Sequence, residues 1–130
     1  MSKFNGGEAE IVLEHFKKLL SHGIKSESIA IISPYSAQVS LIREKISAAF
    51  QPSDHPEINS IDAFQGREKD VVILSMVRSN PEGLVGFLGE MRRINVAMTR
   101  AKKQLVIIGD SETLSRDPEL SGLVNFEKNG

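Results

Sequence analysis

Cysteine and tryptophan are absent from these 130 residues, and one tyrosine and six phenylalanines supply all the aromatic rings. Without a thiol there is no disulfide framework, thiolate nucleophile or zinc ribbon, and the composition suits a reducing compartment. Neither sign of charge is in excess. Sixteen Lys and Arg against 17 Asp and Glu leave a formal charge of −1, so a nucleic-acid site would have to be local rather than a global basic field. Long hydrophobic runs are missing too. Val71-Val72-Ile73-Leu74 falls far short of the ~20 residues that span a bilayer. The polar start Met1-Ser2-Lys3-Phe4-Asn5 has no signal-peptide core. The expectation is a soluble domain with no membrane association. The three histidines, His15, His22 and His55, have no metal-ligand spacing and read as surface residues. No G-x-S-x-G elbow occurs, and no glycine precedes a lysine, so the phosphate-cradling G-x-x-x-x-G-K-[ST] loop is missing. With its ten glycines the 40% apolar content rises to about 48%, the share of an ordinary globular domain with one core.

Strands and helices alternate along the chain. From Glu8 to His22, Val12, Phe16, Leu19 and Leu20 recur at helical spacing, with Asn5 as a cap and Gly23 as the stop. Ile29-Ala30-Ile31-Ile32 is apolar on both faces, as a buried parallel strand requires, and helices should cover both of its sides. A loop, Ser33 to Gln38, then opens a helix through Val39, Ile42, Ile46 and Ala49. A short strand through Ile58 to Ile61, a turn over Asp62-Ala63-Phe64-Gln65-Gly66 and a strong strand over Val71 to Met76 follow. Ser79 to Gly83 reads as a surface loop, and Ile94, Ala97, Met98 and Ala101 mark a helix that feeds a strand over Leu105 to Ile108. A last helix is expected from near Ser111. The pattern predicts a three-layer α/β/α domain with a mostly parallel sheet, whose ligands collect beyond the strands' carboxyl ends, where the polar loops are expected to lie.

Two segments carry chemistry. Ser60-Ile61-Asp62-Ala63-Phe64-Gln65-Gly66-Arg67-Glu68 is dense in hydrogen-bonding groups, and Gly66 lets a ligand approach the backbone closely. A capped surface turn explains the same residues equally well. Arg92, Arg93, Arg100, Lys102 and Lys103 gather positive charge around one short helix, with Arg93 and Arg100 on one face. In a neutral chain that cluster favours phosphate binding over a merely solvated helix. Asp110, after the last strand, reads as a helix cap rather than a metal-holding acid.

Taken together, Ser60 to Glu68, Val71 to Ser79 and Arg92-Arg-Ile-Asn-Val-Ala-Met-Thr-Arg-Ala101 resemble motifs V and VI of superfamily 1 helicases of the Upf-like branch. Ile32-Ser-Pro-Tyr-Ser-Ala-Gln38 is similar to that branch's motif IV, and Gly86-Phe87-Leu88 is also typical of it. The resemblance runs from about Asn5 to Leu114 and is nearest the immunoglobulin mu-binding (SMUBP) and polymerase-alpha-associated helicases. It implies that residues 1–130 are a single RecA-like (P-loop NTPase-like) domain, the second of two in an ATP-driven motor on single-stranded DNA or RNA, and a fragment of a longer chain. ATP and Mg2+ would be bound mainly by the absent first domain, which is the implied partner within the same parent chain. The implied protein is a monomer of nucleus or cytoplasm.

By position, the resemblance makes Arg100 the catalytic arginine finger that reaches the γ-phosphate, a role worth about 10³–10⁵ in turnover. Gly66, Arg67, Glu68 and Arg93 match ATP-binding positions, Glu68 accepting from the ribose. Ser60, Asp62 and Gln65 match contacts to the nucleic-acid backbone, which fix register without reading bases. Tyr35 and Gln38 either brace the loop near the cleft or touch nucleic acid. No metal ligand is assigned, and the chain alone is expected to lack useful ATP turnover. The alternatives are a non-catalytic RecA-like module that binds nucleic acid or protein, and an unrelated flavodoxin-like α/β domain.

Overall fold

The computed structural model describes residues 6–64, 68–77, 92 and 95–108, together with the backbone of 123–127. Helix α1 (Gly6–Ser21) buries Glu8, Val12, Phe16 and Leu19, a stripe at three- and four-residue spacing that faces the core. Gly23 ends it as expected. At φ +90° Gly23 occupies the left-handed region, its N–H donates to Leu20 O at 3.0 Å, and the N–H of Ile24 donates to Leu19 O at 3.2 Å. These two bonds form a Schellman cap, and Ile24 packs back into the cluster that contains Leu19. The Asn5 cap lies outside the described residues.

Strand β1 (Ile29–Ser33) is buried at every position. Helix α2 (Ser36–Ala49) returns the chain to β2 (Glu57–Ser60), which lies parallel to β1. Strand β3 (Lys69–Ser75) pairs parallel with β1 on its other side. A short helix over residues 95–100, here α3, leads straight into β4 (Ala101–Ile108), parallel to β3, and β5 (Leu123–Glu127) closes the sheet antiparallel to β4. The order is β2-β1-β3-β4-β5.

Alternation along the central strands makes two cores. Ile29, Ile31, Val71, Ile73, Val106 and Ile108 meet α1 and α2 on one face. Ala30, Ile32, Val72, Leu74, Leu105 and Ile107 meet Ile61, Phe64 and Ala97 on the other. Phe16 and Phe50 stack edge to face with ring centroids 5.1 Å apart. Arg43 closes the free edge of the sheet, donating through Nε (3.1 Å) and Nη2 (2.6 Å) to Ile58 O, which shields a backbone acceptor that would invite another strand. This is the three-layer α/β/α, RecA-like arrangement with a mostly parallel sheet. Among the described residues no helix is long and apolar enough to cross a membrane.

Three details differ from the sequence expectation. Strand β4 begins at Ala101, four residues before Leu105, because Ala101 still pairs with Lys69 and the ladder resumes at Gln104 opposite Val71; the exposed Lys102 and Lys103 fill the register shift between those pairs, and their polarity hides the strand. Strand β5 stands where the sequence pattern suggests none, although Val-Asn-Phe-Glu does alternate. The helix expected from Ser111, the loop over Ser79 to Gly83, Gly86-Phe87-Leu88, Ile94 and Asp110 lie outside the described residues. The histidines also differ: only His22 is exposed. His55 is half-buried with Nε2 3.0 Å from Phe50 O, and His15 is half-buried beside the α1 stripe, its Nε2 buried with no hydrogen-bond partner among the described residues.

Two predictions follow from α1. A Cβ on Gly23 would meet nothing within 4 Å, so the cost of Gly23→Ala is conformational, and the urea midpoint should fall by the equivalent of about 1 kcal/mol. Burial, and then the charge of Lys18, lowers the His15 pKa from 6.5. The unfolded chain therefore binds more protons between the folded pKa and 6.5, so the contribution of His15 is complete above that window and is lost as pH falls through it. His15→Gln should abolish this share of the acid-side loss, measured as the difference in urea midpoint between the variant and the unaltered chain across the window.

Candidate functional site

Four parallel strands start at one edge of the sheet and end at the other, and the candidate residues divide between those edges. At the amino edge Lys69 pairs with Ala101. Glu68 and Arg100, each one residue earlier in the chain, therefore stand at the starts of adjacent strands. At the carboxyl edge Ser33 pairs with Ser60, which brings Tyr35, Ser60 and Asp62 to that end. The seven residues of β3 separate the two edges by about 20 Å. This corrects the expectation that all the polar loops gather at the carboxyl ends. A strand parallel to β2 must start at the edge where β2 starts, so the chain from Ser60 to Glu68 has to cross the sheet. It carries one end of that segment to each edge.

The carboxyl-edge turn is anchored from below. Ile61 N–H donates to Ser33 O at 3.1 Å, Phe64 N–H donates to Ser60 O at 3.1 Å, and the Phe64 ring is fully buried in the second core. Ser60 Oγ accepts from Ala63 N–H at 3.1 Å, so the hydroxyl caps its own turn and keeps its proton for an outside acceptor. Asp62 is exposed and Tyr35 half-buried. Gln38 is turned inward: it is fully buried, and its Nε2 donates to Ser75 Oγ at 3.1 Å. That bond ties the first turn of α2 to the end of β3. Gln65, Gly66, Arg67 and Arg93 lie outside the described residues.

At the amino edge Glu68, Lys102 and Lys103 are exposed and Arg100 is half-buried, while Arg92, also exposed, lies eight residues before Arg100. The two lysines belong to β4 rather than to the helix. Arg100 Nη1 donates to Thr99 Oγ1 at 3.2 Å, while its Nε is buried without a hydrogen-bond partner among the described residues. A guanidinium half withdrawn from water, with a donor left over, suits a multiply charged oxyanion such as a triphosphate. Among the described residues no three His, Cys, Asp or Glu side chains converge on a possible metal position.

One participant was missed in the sequence. Glu8 is 5% exposed, and its Oε1 accepts from Ser75 Oγ at 2.6 Å and from Val77 N–H at 2.8 Å. The network thus joins α1, α2 and the end of β3. Val77 is buried and has φ +78°, a left-handed conformation that costs a β-branched residue about 1–3 kcal/mol. The available signal was a carboxylate in line with Val12, Phe16 and Leu19, since a charge on an apolar helical stripe needs buried partners.

Residues 1–112 match the family model described as AAA domain. The chain belongs to this family. It is 53% identical over 115 residues to DNA polymerase alpha-associated DNA helicase A of Saccharomyces cerevisiae, covering 88% of this chain and 17% of that protein. It is 47% identical over 127 residues to DNA-binding protein SMUBP-2 of Rattus norvegicus, covering 96% of this chain and 12% of the relative. A regulator of nonsense transcripts 1 homolog of Drosophila melanogaster is 42% identical over 133 residues, covering 98% of this chain and 11% of its own length. These matches support a helicase-type AAA domain, and the chain spans less than a fifth of each of these relatives.

Gln38→Met keeps the length of the side chain but removes the amide that meets Ser75. In this AAA domain it should lower stability by about 1–3 kcal/mol, read from thermal unfolding, because buried polar partners lose a donor.

Proposed function

We propose that this chain is the second RecA-like domain of an ATP-dependent helicase that works on single-stranded DNA or RNA. The observation that carries the reading is the division of the motif residues between opposite edges. Glu68 and Arg100, matched to nucleotide positions, stand at the amino ends of β3 and β4, while Ser60, Asp62 and Tyr35, matched to or weighed as nucleic-acid positions, stand at the carboxyl ends of β1 and β2. A motor must couple two such sites through a rigid body, and the sheet between them is that body.

In this reading ATP and Mg2+ are held mainly by a first RecA-like domain of the same parent chain, and Arg100 reaches across to neutralise charge on the γ-phosphoryl group. Glu68 accepts from the ribose, Gly66 admits the phosphates to the backbone, and Arg67 and Arg93 add charge. Ser60, Asp62 and Gln65 hold the strand's backbone without reading its bases. Tyr35 and Gln38 brace the start of α2. The names of the relatives support this reading, since they include DNA helicases and a DNA-binding protein. Alone, without a phosphate loop, the domain turns over no useful amount of ATP.

The test is strand-stimulated ATP turnover of the full-length protein with and without Arg100→Ala. Turnover should fall by about 10³ or more while single-strand affinity at fixed salt holds within about threefold. Unchanged turnover removes Arg100 from the ATP site and leaves a module that only binds.

A further inference from the structure

We propose that Glu8 is a positioning residue for the nucleic-acid edge, acting through the backbone of Val77. The inference rests on the helicase reading and adds a part that none of the matched motifs contains. Val77 is the second residue beyond β3 and stands at the carboxyl edge with Ser60 and Tyr35. Its strained φ of +78° directs the chain as it leaves the sheet. What holds that conformation is a carboxyl group from a different helix: Glu8 Oε1 accepts the Val77 N–H at 2.8 Å inside a buried pocket, where a hydrogen bond is electrostatically stronger than in water. The same oxygen accepts from Ser75 Oγ at 2.6 Å, and Ser75 Oγ accepts from Gln38 Nε2 at 3.1 Å. Since Gln38 lies in the first turn of α2, directly after the Tyr35 loop, one carboxylate registers both segments that rim this edge. The Val77 N–H that Glu8 holds stands about 20 Å from the amino edge. The effect of Glu8 is therefore on strand engagement rather than on nucleotide affinity.

The experiment uses the full-length protein with oligo(dT) as the single strand. Glu8→Gln keeps the size of the side chain and puts an amide nitrogen, a donor, in place of one of the two carboxyl oxygens. It should raise the oligo(dT) concentration for half-maximal stimulation of ATP turnover about tenfold, with the KM for ATP within about twofold. Glycine holds a φ near +78° without help, so adding Val77→Gly should bring the strand requirement back to within about threefold of the unaltered protein. An unchanged strand requirement, an equal rise in the KM for ATP, or no recovery with Val77→Gly overturns the proposal. Where Glu8→Gln does not fold, Ser75→Ala carries the same test: it removes the bridging hydroxyl, and the expected rise is about threefold. A protein that neither binds nor responds to oligo(dT) or to oligo(U) overturns the helicase reading and this inference together; one that responds only to oligo(U) is tested with oligo(U) in the same way. Strand stimulation that is normal in both the unaltered protein and Glu8→Gln overturns this inference alone.

Discussion

Parallel pairing of β1, β3 and β4 is the constraint on which the other features rest. Each of these strands is apolar on both faces for most of its length, so each must be covered twice, and helices supply the cover on one side and a helix with a buried turn on the other. Parallel strands also force every connection to travel from one edge of the sheet to the other. The Ser60 to Glu68 segment is such a connection, and its division between two edges follows from the ladder rather than from any preference of its own residues. Strand β5, antiparallel to β4, is free of that requirement and ends the sheet.

The second constraint is polar. A hydrophobic core alone would leave the ends of β1 and β3 to settle where packing allowed. Glu8, Ser75 and Gln38 instead place hydrogen bonds of 2.6 to 3.1 Å at that edge, and directional bonds between three elements specify one arrangement where apolar contact would tolerate several. The energy that holds Val77 at positive φ comes from this network, so the strain and the buried carboxylate are one feature. Gln38 belongs to this network rather than to the exposed surface. Its amide donates to Ser75 Oγ inside the domain and ties the first turn of α2 to the end of β3.

The elements with strong periodicity were legible in the chain. Ile29 to Ile32 reads as a buried strand, Val12, Phe16 and Leu19 as a helix, and Gly23 as its stop, because burial and backbone conformation depend on nearest neighbours in the pattern. The amino half of β4 was not legible: Lys102 and Lys103 are solvent-facing and fill a register shift, and only the pairs Lys69 with Ala101 and Val71 with Gln104 on either side of them place them in a strand. His15 misled for a related reason, since a histidine next to Phe16 is covered or exposed according to how the helix rolls on the sheet.

The sequence by itself determined the residue types available for chemistry and the order of strands and helices, both of which are local properties. It also carried the motif resemblance, and with it the candidates Arg100, Glu68, Ser60, Asp62 and Tyr35. Only the tertiary structure decided that these candidates occupy two ends of one sheet, that Gln38 faces inward, and that Glu8 in the first helix meets Val77, 69 residues away. Such meetings depend on strand order and register, which arise when distant segments pair to bury their apolar faces and satisfy their backbone bonds.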